Sequence, residues 1–200
     1  TLLIESCTIS NSKSLVRAKE GISIQINKVS VSKSIINGCS GDMFAYKEST
    51  VAQIPVTEIT NSTLIKPHGR IFYAGNAASF SIDYCTMYGW GGSKAMLELG
   101  DKNTLGMSLA IKNTILANGG SNRKAHNANA AANLSLTIEK VYGTNDMTFH
   151  STLGDVTKYD KPSTEVFENP EEGNFKIIDA LFPSSIGDPR WTECQKRHSK

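Results

Sequence analysis

The sequence predicts an all-β fold, a single-stranded right-handed parallel β-helix of about six coils with three short strands in each coil. Two observations predict it: a motif that recurs every 22 to 33 residues, and a slip in the alternation of apolar residues at the same point of every copy. Repeats of this length are typical of solenoids, in which each repeat buries its apolar face against its neighbours.

Each copy of the motif begins with an isoleucine and continues into a short polar bend. Before the isoleucine, apolar residues recur at every second position, as in Leu134, Leu136 and Ile138, which is the period of a strand with one buried face. After it they stand three and five residues on, as do Cys85 and Met87 after Ile82. Such a slip means that the chain turns a corner and starts a second strand facing the same interior. The six copies begin at Ile4, Ile26, Ile59, Ile82, Ile111 and Ile138.

Two residues after each isoleucine stands the predicted corner. Asn or Ser at such a position suits a chain that enters the left-handed backbone region briefly. We therefore interpret Asn61 and Asn113 as structural bend residues that stack between coils. The six corner positions are Ser6, Lys28, Asn61, Tyr84, Asn113 and Lys140.

A third strand can be placed after most of the second strands, which completes a triangular coil. Helix signals are scarce, and the alanine-rich stretch from Asn127 to Asn133 is too short to form a stable helix alone. The insertion from Ala117 to Asn133 is therefore predicted to be a long loop. The candidate third strands are Leu15-Val16, Met43 to Tyr46, Arg70 to Tyr73 and Ala95 to Leu99.

The chain divides into coils and ends. Residues 1–142 carry the coils, 143–173 are predicted to be an irregular extension, 174–191 a capping segment that covers the last coil, and 192–200 a tail. The first coil would expose an apolar rim, so we expect it to be truncated at the N-terminal end and covered by upstream domains of the same chain.

Composition and charge exclude several classes of function. The net charge of +2 arises from 21 basic and 19 acidic residues scattered along the chain, so no basic stripe is present for nucleic acid. The apolar runs are far shorter than the roughly 20 residues of a transmembrane helix. Residues 1–20 lack the pattern of a secretory signal, which any exported form would carry upstream.

The four cysteines, Cys7, Cys39, Cys85 and Cys194, are widely spaced and form no metal-binding motif. Cys7 and Cys85 occupy the same position of the repeat, where a buried free thiol is the simplest interpretation. The disulfide state of all four stays open at this point. The acidic residues lack calcium-loop spacing, so no cofactor is predicted and Ca²⁺ is unsupported.

The coil pattern I-x-N-x-T-[IL], the segment from Phe175 to Asp179 and the ending Gly187-Asp188-Pro189-Arg190-Trp191 resemble the pectate-lyase-like β-helix proteins that gut Bacteroides export to their surface. The resemblance covers roughly residues 1–191. It implies a secreted or outer-membrane surface protein encoded beside polysaccharide-degrading systems. It supplies no catalytic residues, and the aspartate cluster of calcium-dependent lyases is not recognisable.

Glycan binding is the first functional hypothesis, because a β-helix presents side chains at about 4.8 Å from coil to coil. Aromatic faces and polar groups hold sugars. The candidates fall in a corner with clustered aromatics, in the equivalent corner one coil earlier, and in the insertion after Ala117. They are Tyr84, Tyr88 and Trp90, then Lys66, His68 and Arg70, and finally Arg123 and His126.

Two other hypotheses remain open. A polysaccharide lyase or glycoside hydrolase would need a base with a cation, or two carboxylates. Asp83 and Lys112 share an outward column in successive coils, continued by Glu139, and are the weak catalytic candidates; a solvated row of ion pairs is the alternative. The third hypothesis is a structural stalk or adhesin module.

Overall fold

The computed structural model describes residues 1–18, 26–46, 54–74, 78–99, 106–131 and 134–192. In chain order its strands are β1 (Leu2–Glu5), β2 (Thr8–Ser10), β3 (Val16–Arg17), β4 (Val29–Ser32), β5 (Ile35–Asn37), β6 (Phe44–Ala45), β7 (Val56–Thr60), β8 (Thr63–Ile65), β9 (Phe72–Ala74), β10 (Ser79–Asp83), β11 (Thr86–Tyr88), β12 (Leu97–Leu99), β13 (Met107–Lys112), β14 (Ile115–Ala117), β15 (Leu134–Glu139), β16 (Tyr142–Gly143), β17 (Thr157–Lys158), β18 (Phe167–Asn169) and β19 (Asn174–Ile177). The short helices are α1 (Ala128–Ala131), α2 (Ser163–Val166) and α3 (Pro189–Thr192), with 3₁₀ turns at Ser151–Leu153 and Pro170–Glu172.

Three parallel sheets run along the solenoid, which confirms the predicted architecture. The first sheet has the order β1-β4-β7-β10-β13-β15, the second β17-β16-β14-β11-β8-β5-β2, and the third β12-β9-β6-β3. Strands that are consecutive in a sheet come from successive coils, as in any solenoid. The coil count is lower than the predicted six, because among the described residues only four coils carry a strand in the third sheet.

A single residue with positive φ turns the chain from the first sheet into the second. The predicted left-handed corners are confirmed in five of the six coils, and the second coil is the exception. The corner residues are Ser6, Lys33, Asn61, Tyr84, Asn113 and Lys140, with φ between 44° and 54°.

The second coil was assigned to the wrong register. Its corner is Lys33 rather than Lys28. The buried Val31 occupies the position of the isoleucine that begins the other copies, since it pairs with Ile4 on one side and with Ile59 on the other. The error arose because Val29 and Val31 follow Ile26 at three and five residues and so imitate the slip. Ile22 and Ile24, which precede Ile26 in the same every-second-residue alternation, lie outside the described residues.

Hydroxyl groups form a ladder directly after these corners. The Ser62 hydroxyl donates to the Thr60 carbonyl (2.7 Å) and accepts from the Ser34 amide of the preceding coil (3.1 Å). Ser34 repeats this arrangement with the Ser32 carbonyl and the Cys7 amide. Because the side chains of Ser34 and Ser62 are buried, these bonds replace water for groups that the corner removes from solvent.

Because of this ladder, we expect two substitutions of Ser62 to lower the free energy of unfolding by different amounts. Ser62→Ala leaves the buried Ser34 amide without an acceptor, so we expect a loss of about 1–3 kcal/mol in the free energy of unfolding. Ser62→Cys is expected to cost less, because Cys85 occupies the equivalent position and its thiol donates to the Asp83 carbonyl (3.3 Å). Urea denaturation of both variants measures the difference, and equal losses would contradict the role given to the ladder.

The interior is filled by inward side chains of all three sheets. Aromatic rings stack along it, with Phe44 and Phe72 at 5.6 Å between ring centroids and Phe72 and Phe80 at 4.6 Å. The predicted third strands are confirmed, displaced by one or two residues at their ends. The chain closes its coils around this one continuous core.

Two stretches predicted to be irregular belong to coils. Within the insertion after Ala117, Arg123 forms an isolated parallel β-bridge with Phe149, and His126 forms one with Leu97. The short helix α1 lies where a loop was expected. Beyond residue 143, β17 extends the second sheet, and Met147, Leu153 and Val156 join the interior core. The last coil is therefore covered by residues 144–160 and not by the segment predicted to cap it.

Residues 163–192 form what we call the strap, which runs along the outer face of the second sheet. Strands β18 and β19 pair antiparallel, and the strap side chains Phe167, Phe175 and Phe182 make a second buried cluster with Ile65 and Tyr88 of the sheet. The segment predicted to be a cap, 174–191, therefore packs against the side of the solenoid at the second sheet. The outward positions of β8, β11 and β14 are buried for this reason.

The end of the strap is fixed by the Gly-Asp-Pro-Arg-Trp motif. The buried Asp188 carboxylate accepts from the Thr63 hydroxyl (2.7 Å), and the Trp191 indole donates to that hydroxyl (2.8 Å). The Asp188 amide donates to Thr86 Oγ1 (3.1 Å). Burial raises the pKa of Asp188 above its usual value. The motif therefore has a structural role in docking the strap.

Cysteine chemistry is limited by burial. Cys39 and Cys85 are buried free thiols, and Cys7 is free and exposed at the first coil, while Cys194 lies outside the described residues. Burial raises the pKa of Cys85, which disfavours the reactive thiolate. In the part of the chain that the structure describes, no helix is long and apolar enough to cross a membrane.

Candidate functional site

The outer face of the third sheet brings charged and aromatic side chains into one column. Strand pairing aligns Arg17 with Ala45, Ala45 with Tyr73, and Tyr73 with Glu98. These four residues come from successive coils, so neighbours in the column are about 4.8 Å apart. Among the described residues, the strap covers the second sheet and not this face, and Ala45, Tyr73 and Glu98 are partly exposed here.

A shallow depression opens at the start of this face, with a volume of about 160 Å³. Small residues form its floor, since Gly41 and Ala45 contribute little or no side chain. Gly41 is required there, because a Cβ atom would lie 2.7 Å from the Lys13 carbonyl oxygen of the coil above. We call it the sheet-three depression, and it is lined by Lys13, Ser14, Arg17, Gly41, Asp42, Ala45 and Tyr73.

Beside the depression, one guanidinium joins two carboxylates from different coils. Arg70 Nε donates to Glu98 (2.6 Å), and Arg70 Nη1 donates to both carboxylate oxygens of Asp42 (2.9 and 3.1 Å). The Asp42 carboxylate also accepts from the Arg70 amide (3.1 Å), and Glu98 accepts from the Ala95 amide (3.3 Å). The side chains of Asp42, Arg70 and Glu98, which we call the charged clamp, are only 21%, 17% and 15% exposed.

The electrostatics of the clamp follow from this geometry. Partial burial alone would lower the pKa of Arg70, but the hydrogen bond that Arg70 donates to Glu98 and the negative charges of Asp42 and Glu98 outweigh it and raise that pKa. Ion pairs at this low exposure are screened less than pairs on the open surface. The three side chains are therefore fixed relative to one another.

The clamp supports an aromatic ring. The Arg70 guanidinium carbon lies 3.9 Å from the centroid of the Tyr73 ring, a close cation–π contact. Tyr73 also lines the depression, so the same ring contacts the clamp and borders the space that a ligand would enter. Chemically, the arrangement offers a flat apolar surface next to hydrogen-bonding groups, which is what binding of a sugar ring requires.

Sequence reasoning found only Arg70 of this site. Asp42, Tyr73 and Glu98 were missed as functional candidates. A signal for them exists: Asp42 and Glu98 each lie 28 residues from Arg70, which is one coil length in each direction. Stacking the third strands on one another, rather than the first strands, would have brought the three charges together.

Two of the predicted ligand-binding aromatics, Tyr88 and Trp90, are buried in the structure. Tyr88 is 0% exposed beneath the strap, and Trp90 is 1% exposed within the interior core. The Tyr88 hydroxyl donates to Glu171 of the strap (2.5 Å), and burial together with that carboxylate raises the pKa of Tyr88 to about 12. Neither ring has an exposed face for a ligand, because the strap covers Tyr88 and Trp90 lies in the interior core.

The remaining corner candidates are exposed but dispersed. Tyr84 is 39% exposed at a corner between the first and second sheets. Lys66 forms a surface ion pair with Glu171 of the strap (3.5 Å), and His68 is exposed in the turn that follows. The structure does not bring Tyr84 together with Lys66 and His68, because they lie at different corners of the coil.

The candidates of the insertion have structural contacts. Arg123 is 9% exposed, and its Nη1 donates to the carbonyls of Gly91 (2.9 Å) and Gly92, so it ties adjacent turns and is not available to a ligand. His126 is half-buried, with Nδ1 2.9 Å from the Asn127 carbonyl oxygen.

The weak catalytic pair lies on an open face. Asp83 and Lys112 are register partners on the first sheet, as predicted. However, Lys112 forms an ion pair with Glu139 (3.0 Å), and Asp83 accepts from the Asn113 side chain (2.9 Å). This is the solvated row of ion pairs that was the alternative interpretation. Within the described residues, no three His, Cys, Asp or Glu side chains converge to hold a metal ion.

Comparison with known proteins gives one match. A family model described as a domain of unknown function (DUF5123) matches residues 80–191, more than half of the chain. The matched range begins within β10 and includes Glu98 and almost the whole strap, whereas Asp42, Arg70 and Tyr73 precede it. No curated protein and no solved structure matches the chain.

Proposed function

Because the chain belongs to the DUF5123 family, whose description names no function, we propose from its structure that it binds a polysaccharide on the outer face of the third sheet. The observation that carries this proposal is the Tyr73 ring, which borders the sheet-three depression and contacts the Arg70 guanidinium at 3.9 Å. A ring fixed before binding loses little conformational entropy when a sugar stacks on it.

The form of the face supports an extended ligand. The column from Arg17 to Glu98 crosses four coils, and each step of about 4.8 Å is close to the length of a sugar unit in a stretched chain. The polar side chains Lys13 and Asp42 beside the ring can form hydrogen bonds with hydroxyl groups. The proposed contacts involve no metal or cofactor.

Binding is favoured over catalysis by the placement of the acidic groups. Glycoside hydrolysis needs two carboxyl groups that face the scissile bond. Asp42 lines the depression but Glu98 does not, and both are engaged by Arg70. A hydrolase that used these two carboxylates would therefore have to break the clamp before it could act.

We further propose that the chain is secreted or displayed on the cell surface and that its partner there is a polysaccharide. The support is the coil pattern and the Phe175 to Asp179 and Gly187 to Trp191 segments, which resemble surface-exported pectate-lyase-like β-helix proteins of Bacteroides. Upstream domains would then connect the solenoid to the surface. An elongated stalk without a ligand is the outcome that a negative binding result would favour.

Substitution of Tyr73 tests the proposed site. We expect Tyr73→Ala to weaken polysaccharide binding at least about tenfold, because aromatic anchors commonly contribute more than 1 kcal/mol to a binding site. The measurement is a screen on an array of plant, algal and bacterial polysaccharides, followed by calorimetric titration of the strongest ligand. Ultraviolet absorbance of the same samples would reveal unsaturated products if the protein were a lyase.

Tyr84→Ala is the matched control, because this tyrosine is exposed at a corner away from the third sheet. It is expected to bind like the unaltered protein. If Tyr84→Ala and Tyr73→Ala lose affinity equally, or if no polysaccharide on the array binds, the proposed function is wrong.

A further inference from the structure

One residue of the charged clamp lines the depression and the other two lie outside it. Glu98 and Arg70 do not line the depression, whereas Asp42 and Tyr73 do. Glu98 contacts Arg70, and Arg70 contacts both Asp42 and Tyr73. Glu98 can therefore influence a ligand in the depression through Arg70, from a position that the ligand does not occupy.

The guanidinium plane is fixed along two edges. Its Nε edge faces Glu98, and its Nη1 group faces both oxygens of Asp42. Because a guanidinium is planar and its donors lie in that plane, carboxylates on two edges restrict its rotation and leave its flat face for an aromatic ring. The guanidinium carbon lies over the Tyr73 ring, 3.9 Å from its centroid.

We propose that Glu98 is a positioning residue: it holds Arg70, and Arg70 holds the Tyr73 ring in the orientation that accepts a sugar. This inference rests on the proposed polysaccharide-binding function. Without the Glu98 charge, the Nε edge of Arg70 is held only by a weaker, neutral hydrogen bond, and the Tyr73 ring gains freedom that binding must then remove. Ordering one such side chain on binding corresponds to a loss of about three- to tenfold in affinity.

The test is a double-mutant cycle of Glu98→Gln and Tyr73→Ala, titrated with the polysaccharide that gives the strongest signal on the array. Glu98→Gln keeps the shape of the side chain and removes its charge. We expect it to weaken binding about three- to tenfold when Tyr73 is present and to have no further effect in the Tyr73→Ala background. An equal loss in both backgrounds would overturn the proposal, because Glu98 would then act independently of the ring.

Glu58→Gln is the matched control. Glu58 forms an ion pair with Lys28 (2.6 Å) on the first sheet, away from the depression. Removing this charge is expected to leave the affinity unchanged. A loss equal to that of Glu98→Gln would indicate a general effect of charge and would also overturn the proposal.

Ring motion in the free protein separates this inference from the proposed function. With isotope-labelled tyrosine, the Tyr73 ring signals should show faster ring flipping in Glu98→Gln than in the unaltered protein or in Glu58→Gln. Unchanged Tyr73 signals would overturn the positioning role even if the protein binds a polysaccharide. Faster flipping without any polysaccharide binding would show that Glu98 restrains the Tyr73 ring through Arg70. It would also show that the proposed polysaccharide-binding function, and with it the contribution of Glu98 to affinity, is wrong.

Discussion

Replacing Gly187 with alanine is expected to lower the free energy of unfolding by about 2–5 kcal/mol. Gly187 has φ +90°, a conformation that residues with a Cβ atom rarely adopt. The added Cβ would also lie 2.7 Å from Ile115 Cδ1 and 2.9 Å from Thr86 Oγ1. Thr86 is the group that accepts from the Asp188 amide, so the substitution disturbs the docking of the strap directly. Chemical denaturation monitored by circular dichroism measures the loss.

The control for this substitution is Gly106→Ala. Gly106 is exposed, and among the described residues no heavy atom beyond its chain neighbours lies within 4 Å of the position that its Cβ would occupy. Alanine there is expected to leave stability unchanged or to raise it by up to about 1 kcal/mol, because it restricts the unfolded chain. If Gly187→Ala were as well tolerated as Gly106→Ala, the strap would not depend on a tight turn at this position.

The fold could be predicted from the sequence because the corners repeat. The isoleucine that begins each copy and the slip after it show where the first strand ends and the chain turns a corner. Both features lie within a few residues of one another in the sequence. This local pattern failed at the second coil, because Val29 and Val31 follow Ile26 at three and five residues and imitate the slip. The observed register appears in pairing between coils, where Val31 lies opposite Ile59 and the Ser34 amide donates to the Ser62 hydroxyl 28 positions away. The local pattern contains no such contact.

The presence of a covering segment on the second sheet could be predicted from the apolar residues at its outward positions. In a sheet with one face exposed, outward positions are polar, whereas a strand buried on both faces is apolar throughout. Ile65, Tyr88 and Ile115 are outward positions of the second sheet, and all three are large and apolar. They indicate that something covers this face. The sequence does not state what covers it, because the strap has no repeat that would relate it to the coils.

The candidate site was the least accessible to sequence reasoning. Tyr88 and Trp90 became candidates because aromatic residues cluster there along the sequence. In a solenoid, however, neighbours on a face are one coil apart, so the site is assembled from residues separated by coil lengths. Arg70 entered the candidate set through its local neighbours Lys66 and His68, although its structural partners are Asp42 and Glu98.

The largest effect on the strap is expected from Phe175→Ala. Phe175 is fully buried, and its ring centroid lies 5.2 Å from that of Tyr88, 5.5 Å from that of Phe167 and 5.8 Å from that of Trp191. Removing a buried phenylalanine side chain typically costs about 3–5 kcal/mol. Because this cluster is separate from the interior core, we expect the loss to appear as local opening of the strap.

Hydrogen exchange followed by mass spectrometry resolves where the stability is lost. In Phe175→Ala, amides of β18 and β19 are expected to exchange much faster, whereas those of β10 and β13 in the first sheet keep their protection. Leu181→Ala is the control on the same strap, since Leu181 is 80% exposed and its truncation should change little. If protection in the first sheet fell as much as in the strap, the two clusters would unfold as one unit, and the strap would be an integral part of the solenoid's stability. Retained protection would instead mean that the coils hold the outer face of the third sheet, and with it the sheet-three depression, in place without help from the strap.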